Sequence, residues 1–144
     1  MSESDELAVG MSAEKYVTIT REMTIGHFVA GMPYVYATPM MVLHMEMAAG
    51  SAVASALAVG FVSVGMEINV RHRAAAAIGD SVRAIAQVTA IDARSVFFRI
   101  EAWNDERRIG EGTHRRGIVN VREFEKRFGV REASLTHQLT CEGS

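Results

Sequence analysis

Glu46 is the only formally charged residue between Glu22 and Glu67, and it stands inside a Met- and Ala-rich run that contains no proline after Pro39. The run from Pro39 to Val59 has Gly50 as its single glycine and a composition that favours helix. Its apolar residues lie almost all round the helical cylinder. A helix of that kind is expected to be enclosed by other elements rather than laid on a surface. Gly60 stands where a helix stop belongs. Any fold open to this chain must therefore wrap something round the helix and accommodate a carboxylate within it.

The wrapping is supplied by strands. Tyr16 to Thr20 alternates and is rich in β-formers, and Gly26, Gly31 and Pro33 then mark a loop or short helical turn to about Ala37. After Gly60, Phe61 to Arg73 alternates, with Val62, Val64, Met66, Ile68 and Val70 on one face. Gly79-Asp80 turns into Ser81 to Ile91, where Val82, Ala84, Ala86, Val88 and Ala90 share a face. Ser95 to Trp103 places Val96, Phe98 and Ile100 inward. Asn104-Asp105-Glu106 turns into Ile109 to Val121, whose poorer alternation and Gly110 and Gly112 suggest a bulge. A short charged helix is expected over 122–130. The order predicts an α+β domain, an antiparallel sheet curled round one long central helix. One sheet on one helix leaves an edge and part of a face open, so at least a dimer is expected.

The 144 residues make one domain, expected over 15–130, with a flexible acidic leader over 1–14 and a loose tail over 131–144. A net charge of −2 carries none of the basic excess that nucleic-acid binding calls for. The lone cysteine, Cys141, supports neither a disulfide framework nor a thiolate metal site. The first residues are acidic where a signal peptide would be basic, so a cytoplasmic location is expected. Met47 to Met66 is uncharged and approaches the length of a membrane span. It consists mostly of Ala, Gly, Ser and Val and is split at Gly60, so no membrane span is expected.

Burying an unpaired carboxylate costs several kcal/mol, a large part of a domain's stability. Something must compensate Glu46, and carboxylates so placed concentrate at functional sites. The plainer reading puts Glu46 on a solvated strip of the helix or in a structural pair. His72, by its even number, is expected to turn inward with Val62 to Val70, whereas Arg71 and Arg73 turn away. There it is either a proton carrier or a core histidine bonded to a carbonyl. Thr38 precedes Pro39 and reads as the helix N-cap; the helix start also offers a positive dipole end to an oxyanion. A regular helix would set Thr38 and Glu46 about 12 Å apart along its axis, at ~1.5 Å per residue. They share a substrate only if residues 38–42 depart from helix or a partner subunit supplies one of them.

Other motifs fall away. His44-Met45-Glu46 has the H-x-E form of zinc deaminases without the cysteine pair that completes it. There is no nucleophile elbow, phosphate loop or paired-histidine zinc motif. Arg71, Arg73, Arg115 and Arg116 suit nucleotide phosphates or simply a solvated strand face.

Val35-Tyr36-Ala37-Thr38, Leu43-His44-Met45-Glu46, Ser63-Val64-Gly65 and Val70-Arg71-His72 resemble the hotdog-fold thioesterases similar to fluoroacetyl-CoA thioesterase, and Ile109 to His114 resembles that family's last strands. The resemblance implies a Thr–Glu–His site at Thr38, Glu46 and His72, with a Gly65 N–H facing the thioester oxygen. It further implies an acyl-CoA substrate held near the interface of a homodimer, with no metal or bound cofactor. Two departures bear on the acyl group. Small residues follow Glu46 where an aromatic is usual, and Met32 stands where a bulky aromatic would line the acyl pocket. The expected activity is hydrolysis of a small acyl-CoA, with Glu46 as general base or nucleophile and no preference for fluoroacyl groups carried over. The rival is a non-catalytic hotdog module that binds an acyl-CoA or small hydrophobic acid. A hotdog hydratase would need an Asp/His pair, and no aspartate lies between Asp5 and Asp80.

Overall fold

A computed structural model describes residues 6–129. Its strands are β1 (Ser12–Thr18), β2 (Phe61–His72), β3 (Ser81–Asp92), β4 (Ser95–Asn104) and β5 (Arg107–Asn120). They form one antiparallel sheet in the order β1-β3-β4-β5-β2. The helices are α1 (Ile25–Phe28), the central α2 (Thr38–Ala54) and α3 (Val121–Phe128). Buried side chains of α2, among them Met41, Met45, Ala49 and Val53, pack on Val82, Val88, Val96, Phe98, Ile100 and Ile109 of the sheet. The α+β arrangement is the one expected. β1 begins at Ser12, inside the stretch expected as leader, and Leu7 and Met11 pack against the core. Residues 1–5 and the expected tail, Cys141 included, lie outside the described residues.

Four expectations need correction, each for a local reason. The helix ends at Ala54 rather than Val59. Ala56 and Leu57 donate to the carbonyls of Val53 and Ala54, a tight turn that brings the chain to Gly60, whose φ of +89° suits glycine, and so into β2. Second, the pairing register of β2 on β5 shifts between Gly65 and Glu67. The extra residue reverses the alternation, so Val62 and Met66 are exposed while Ser63 turns inward and Ile68, Val70 and His72 face the core side. A like shift between Val88 and Ala90 exposes Ala90. Third, α2 is not enclosed in the single chain: Leu43, Met47, Ser51 and Ala54 are exposed. Fourth, Thr38 is not the cap. Ala37 holds that position, with no side-chain capping bond, and Thr38 is already helical.

The bulge expected in β5 is present at Ile109, where the pairing with β4 shifts beside Gly110, and Gly110 and Gly112 also serve close packing. A Cβ at Gly112 would lie 2.0 Å from the Asn69 carbonyl oxygen, and one at Gly110 would lie 2.6 Å from Met41 Sδ. α2 and β2 can approach β5 this closely only because both positions lack side chains. No helix among the described residues is long and apolar enough to cross a membrane.

Candidate active site

Thr38 reaches the site because the segment before it is anchored at both flanks. Tyr36 N–H donates to the Ala76 carbonyl and Ala37 N–H to that of Met23. With no capping bond to make, the Thr38 hydroxyl meets His72 Nδ1 at 2.8 Å. Continued unbroken, the alternation of the first half of β2 would have turned His72 away from the core; the shift between Gly65 and Glu67 turns it inward, the side its even number had predicted without that shift. His72 Nε2 is buried and has no hydrogen-bond partner. Burial pushes this imidazole below its ordinary pKa, against a smaller opposing contribution from the Ala74 backbone, and so favours the neutral ring. Both residues line a cleft of about 420 Å³ with Ile25, Met32, Val35 and Tyr36, and Arg73 is at its rim.

Glu46 occupies a different place. Its side chain is 37% exposed, on the open face of α2, so it is not the buried carboxylate expected. Its Oε2 lies 3.6 Å from Nη1 of Arg116, whose side chain is 11% exposed. The carboxylate rests over Gly65: a Cβ there would be 2.8 Å from Oε2. Leu43, Glu46, Met47, Gly50, Ser51, Ala54 and Arg116 line a second, shallower depression of about 410 Å³. It has no lining residue in common with the cleft at His72. Since α2 is regular from Thr38 onward, one chain keeps Thr38 and Glu46 about 12 Å apart along the axis.

Arg116, expected either to hold nucleotide phosphates or to lie on a solvated strand face, is instead the centre of a buried network. It donates to the Ser63 hydroxyl and carbonyl, both at 2.8 Å, and to His114 Nε2 at 3.2 Å. His114 Nε2 therefore accepts, and its Nδ1–H donates to the Glu67 carbonyl at 2.7 Å. Burial works against the charge of Arg116, and Glu46 supports it. Arg115 does face outward, 3.8 Å from Glu67, and Arg73 pairs with Glu111. Arg71 is exposed and stands opposite Glu111 on β5, where, after Arg73, its charge helps hold that carboxyl low.

Sequence reasoning gave Arg116 only a phosphate-binding or solvated place and assigned no role to Ser63, Tyr36 or His44. Counting along β2 puts Ser63 on the outer face, and the register shift turns it inward to Arg116. The Tyr36 hydroxyl bonds His44 Nδ1 at 2.5 Å, eight residues away, a pairing that carries no local signal. Among the described residues no group of three His, Cys, Asp or Glu is placed to hold a metal ion.

The profile of the fluoroacetyl-CoA-specific thioesterase family matches residues 19–122. The fluoroacetyl-CoA thioesterase of Streptantibioticus cattleyicolor is 36% identical over 95 residues, which are 66% of this chain and 68% of that protein. A solved structure of the fluoroacetyl-CoA thioesterase FlK superposes with a TM-score of 0.82 at 30% identity, covering 86% of this chain and 96% of the other. A variant of that enzyme, solved in complex with fluoroacetate and CoA, superposes at 0.78 with 31% identity over 82% and 99% of the two chains. A Thermus thermophilus protein of the thioesterase superfamily superposes at 0.79 with 28% identity, over 95% of this chain and 98% of that one. A hot-dog-like protein from Thermanaerovibrio acidaminovorans superposes at 0.80 with 22% identity, over 89% of this chain and 95% of that one, which identifies the arrangement of helix and sheet as the hotdog fold.

Proposed function

The chain belongs to the fluoroacetyl-CoA-specific thioesterase family and is an acyl-CoA thioesterase, and on that premise we propose that it hydrolyses a short acyl-CoA using Thr38, Glu46 and His72. The observation that carries the reading is the His72 imidazole, held through Nδ1 by Thr38, left unpartnered at Nε2, and lining a mostly apolar cleft. An unsatisfied buried nitrogen is costly, and substrate or water supplies its missing partner.

In this reading water attacks the thioester carbonyl carbon while Glu46 takes a proton from it. The C–S bond then breaks and His72 Nε2 relays that proton from Glu46 to the departing CoA sulfur, leaving a free carboxylic acid, CoA thiol and Glu46 again ionised. The alternative course has Glu46 attack directly, giving a mixed anhydride that water opens. Gly65 pairs with Arg116 next to the register shift, and its N–H is assigned to the developing oxyanion as the family resemblance implies. Met32 belongs to the acyl wall, and exposed Arg71 to the CoA phosphates.

The two depressions are half-sites that a second copy joins. Exposed Leu43 and Met47 on α2, with Val62 and Met66 on the edge strand β2, form the face that a partner covers. Glu46 of one subunit then completes the cleft at Thr38 and His72 of the other.

The test is CoA release from a panel including acetyl-, fluoroacetyl-, butyryl- and phenylacetyl-CoA, for wild type, Glu46→Gln and His72→Ala. Each substitution is expected to lower kcat about 100-fold or more with the fold intact. Unchanged activity in Glu46→Gln overturns the assignment of roles. Tight binding without turnover by wild type returns the protein to the binding-module reading.

A further inference from the structure

The mechanism leaves unused a polar pair in the core beside His72. Tyr36 and His44 are 2% and 5% exposed, yet each carries a polar group. Burial holds the Tyr36 hydroxyl above its usual pKa and the His44 imidazole below its own. The phenol is therefore the donor and His44 Nδ1 the acceptor in their 2.5 Å bond, which leaves the imidazole proton on Nε2. The two rings stack with centroids 5.8 Å apart and planes 12° from parallel. Tyr36 also stands at 82° to the His72 ring, with centroids 6.3 Å apart, and it lines the same cleft as Thr38 and His72. Its backbone is pinned through Ala76, so the ring's remaining freedom is rotation about its own side-chain bonds, and the open space beside it is the cleft.

We propose that His44 is a positioning residue: by accepting the Tyr36 hydroxyl it holds that ring back as the wall of the acyl cleft and the flank of the His72 imidazole. The inference rests on the thioesterase reading of the cleft. Without the acceptor, the phenol hydroxyl is orphaned in the core, and it regains hydrogen bonds only by turning into the cleft, where water is present. There the ring obstructs the acyl group and abandons His72. Removing the hydroxyl as well removes the reason to turn, because an apolar pair of similar shape is content in the core.

The experiment compares His44→Leu, Tyr36→Phe and the double variant. It measures kcat and KM on the acyl-CoA that wild type hydrolyses fastest, and the NMR ring resonances of His72, which lie in the ring current of Tyr36. His44→Leu is expected to lose about 10- to 100-fold in kcat/KM, the scale set by ångström misplacement of a site group. Adding Tyr36→Phe is expected to recover most of that loss, and the His72 resonances move in the single variant and return in the double. A purely structural pair would lower Tm and leave the folded His44→Leu enzyme with wild-type kcat/KM and unmoved His72 resonances. That result, or a double variant no better than His44→Leu, overturns the proposal. If His44→Leu does not fold, His44→Phe, which also offers no acceptor, takes its place, with the same recovery expected on adding Tyr36→Phe. A wild type without turnover would sink the thioesterase reading, while the resonances alone would still decide whether His44 acts on His72 through Tyr36.

Discussion

Three imidazoles, His44, His72 and His114, share one physical condition. His44 and His114 are buried and His72 half-buried, and burial lowers each pKa from the ordinary 6.5. The unfolded chain takes up these protons near pH 6.5, whereas the folded chain resists them. Below that pH the unfolded state binds more protons, so stability falls as pH drops from about 6.5 toward the folded values and is level above it. The slope approaches about 1.4 kcal/mol per pH unit for each histidine still neutral in the fold. Glu14 and Glu111, lowered by Tyr16 and Arg73 respectively, lose their contributions separately, as pH falls below the carboxylate range. A Tm measured from pH 8 to pH 5 should therefore begin to decline well above the range where carboxylates titrate. A Tm level down to pH 5 would show that the imidazoles titrate as in free peptides.

Within the elements, three glycines with different neighbours lead to three different outcomes. At Gly112 an alanine Cβ meets backbone, the Asn69 carbonyl oxygen, which cannot yield without parting β2 from β5. Gly112→Ala should cost several kcal/mol in a denaturant melt, as overpacking against backbone does. At Gly65 the obstacle is the far end of a flexible side chain, the Glu46 carboxylate. Gly65→Ala should fold near normally but displace that carboxylate, lowering kcat by about 10- to 100-fold. Gly50, inside α2, has only Arg116 Nη2 near, at 3.4 Å. Gly50→Ala should therefore gain about 0.5–1 kcal/mol of helix stability. Equal effects at all three positions would contradict the packing described. The contrast between Gly65 and Gly112 was invisible in the sequence, where both are glycines in alternating strands.

At the scale of the molecule, the sheet has two free edges, β1 and β2, and the apolar residues at the second lie beside the open face of α2. Neither half-site contains all three proposed groups, so activity and association should fall together. Sedimentation is expected to show a dimer for wild type. Met66→Lys, which places a charge on the β2 edge, should shift it toward monomer and lower kcat at least about tenfold. A fully active monomer would require Glu46 to reach His72 within one chain, against the helical spacing.

The sequence by itself determined the class of fold, because a long apolar helix followed by four alternating strands admits few other arrangements. It also singled out Thr38, Glu46 and His72, since an isolated charge and an inward histidine stand out against apolar surroundings. What it could not determine was the sense in which those residues face. One extra residue in β2 reverses every side chain before it, and that shift comes from pairing with β5. The same long-range pairing carried Arg116 into the core, left Glu46 half exposed over Gly65, and freed Thr38 from capping to hold His72. Pattern along a chain is local, whereas Thr38 meets His72 from 34 residues away and Arg116 meets Glu46 from 70. Only the tertiary structure brings them together.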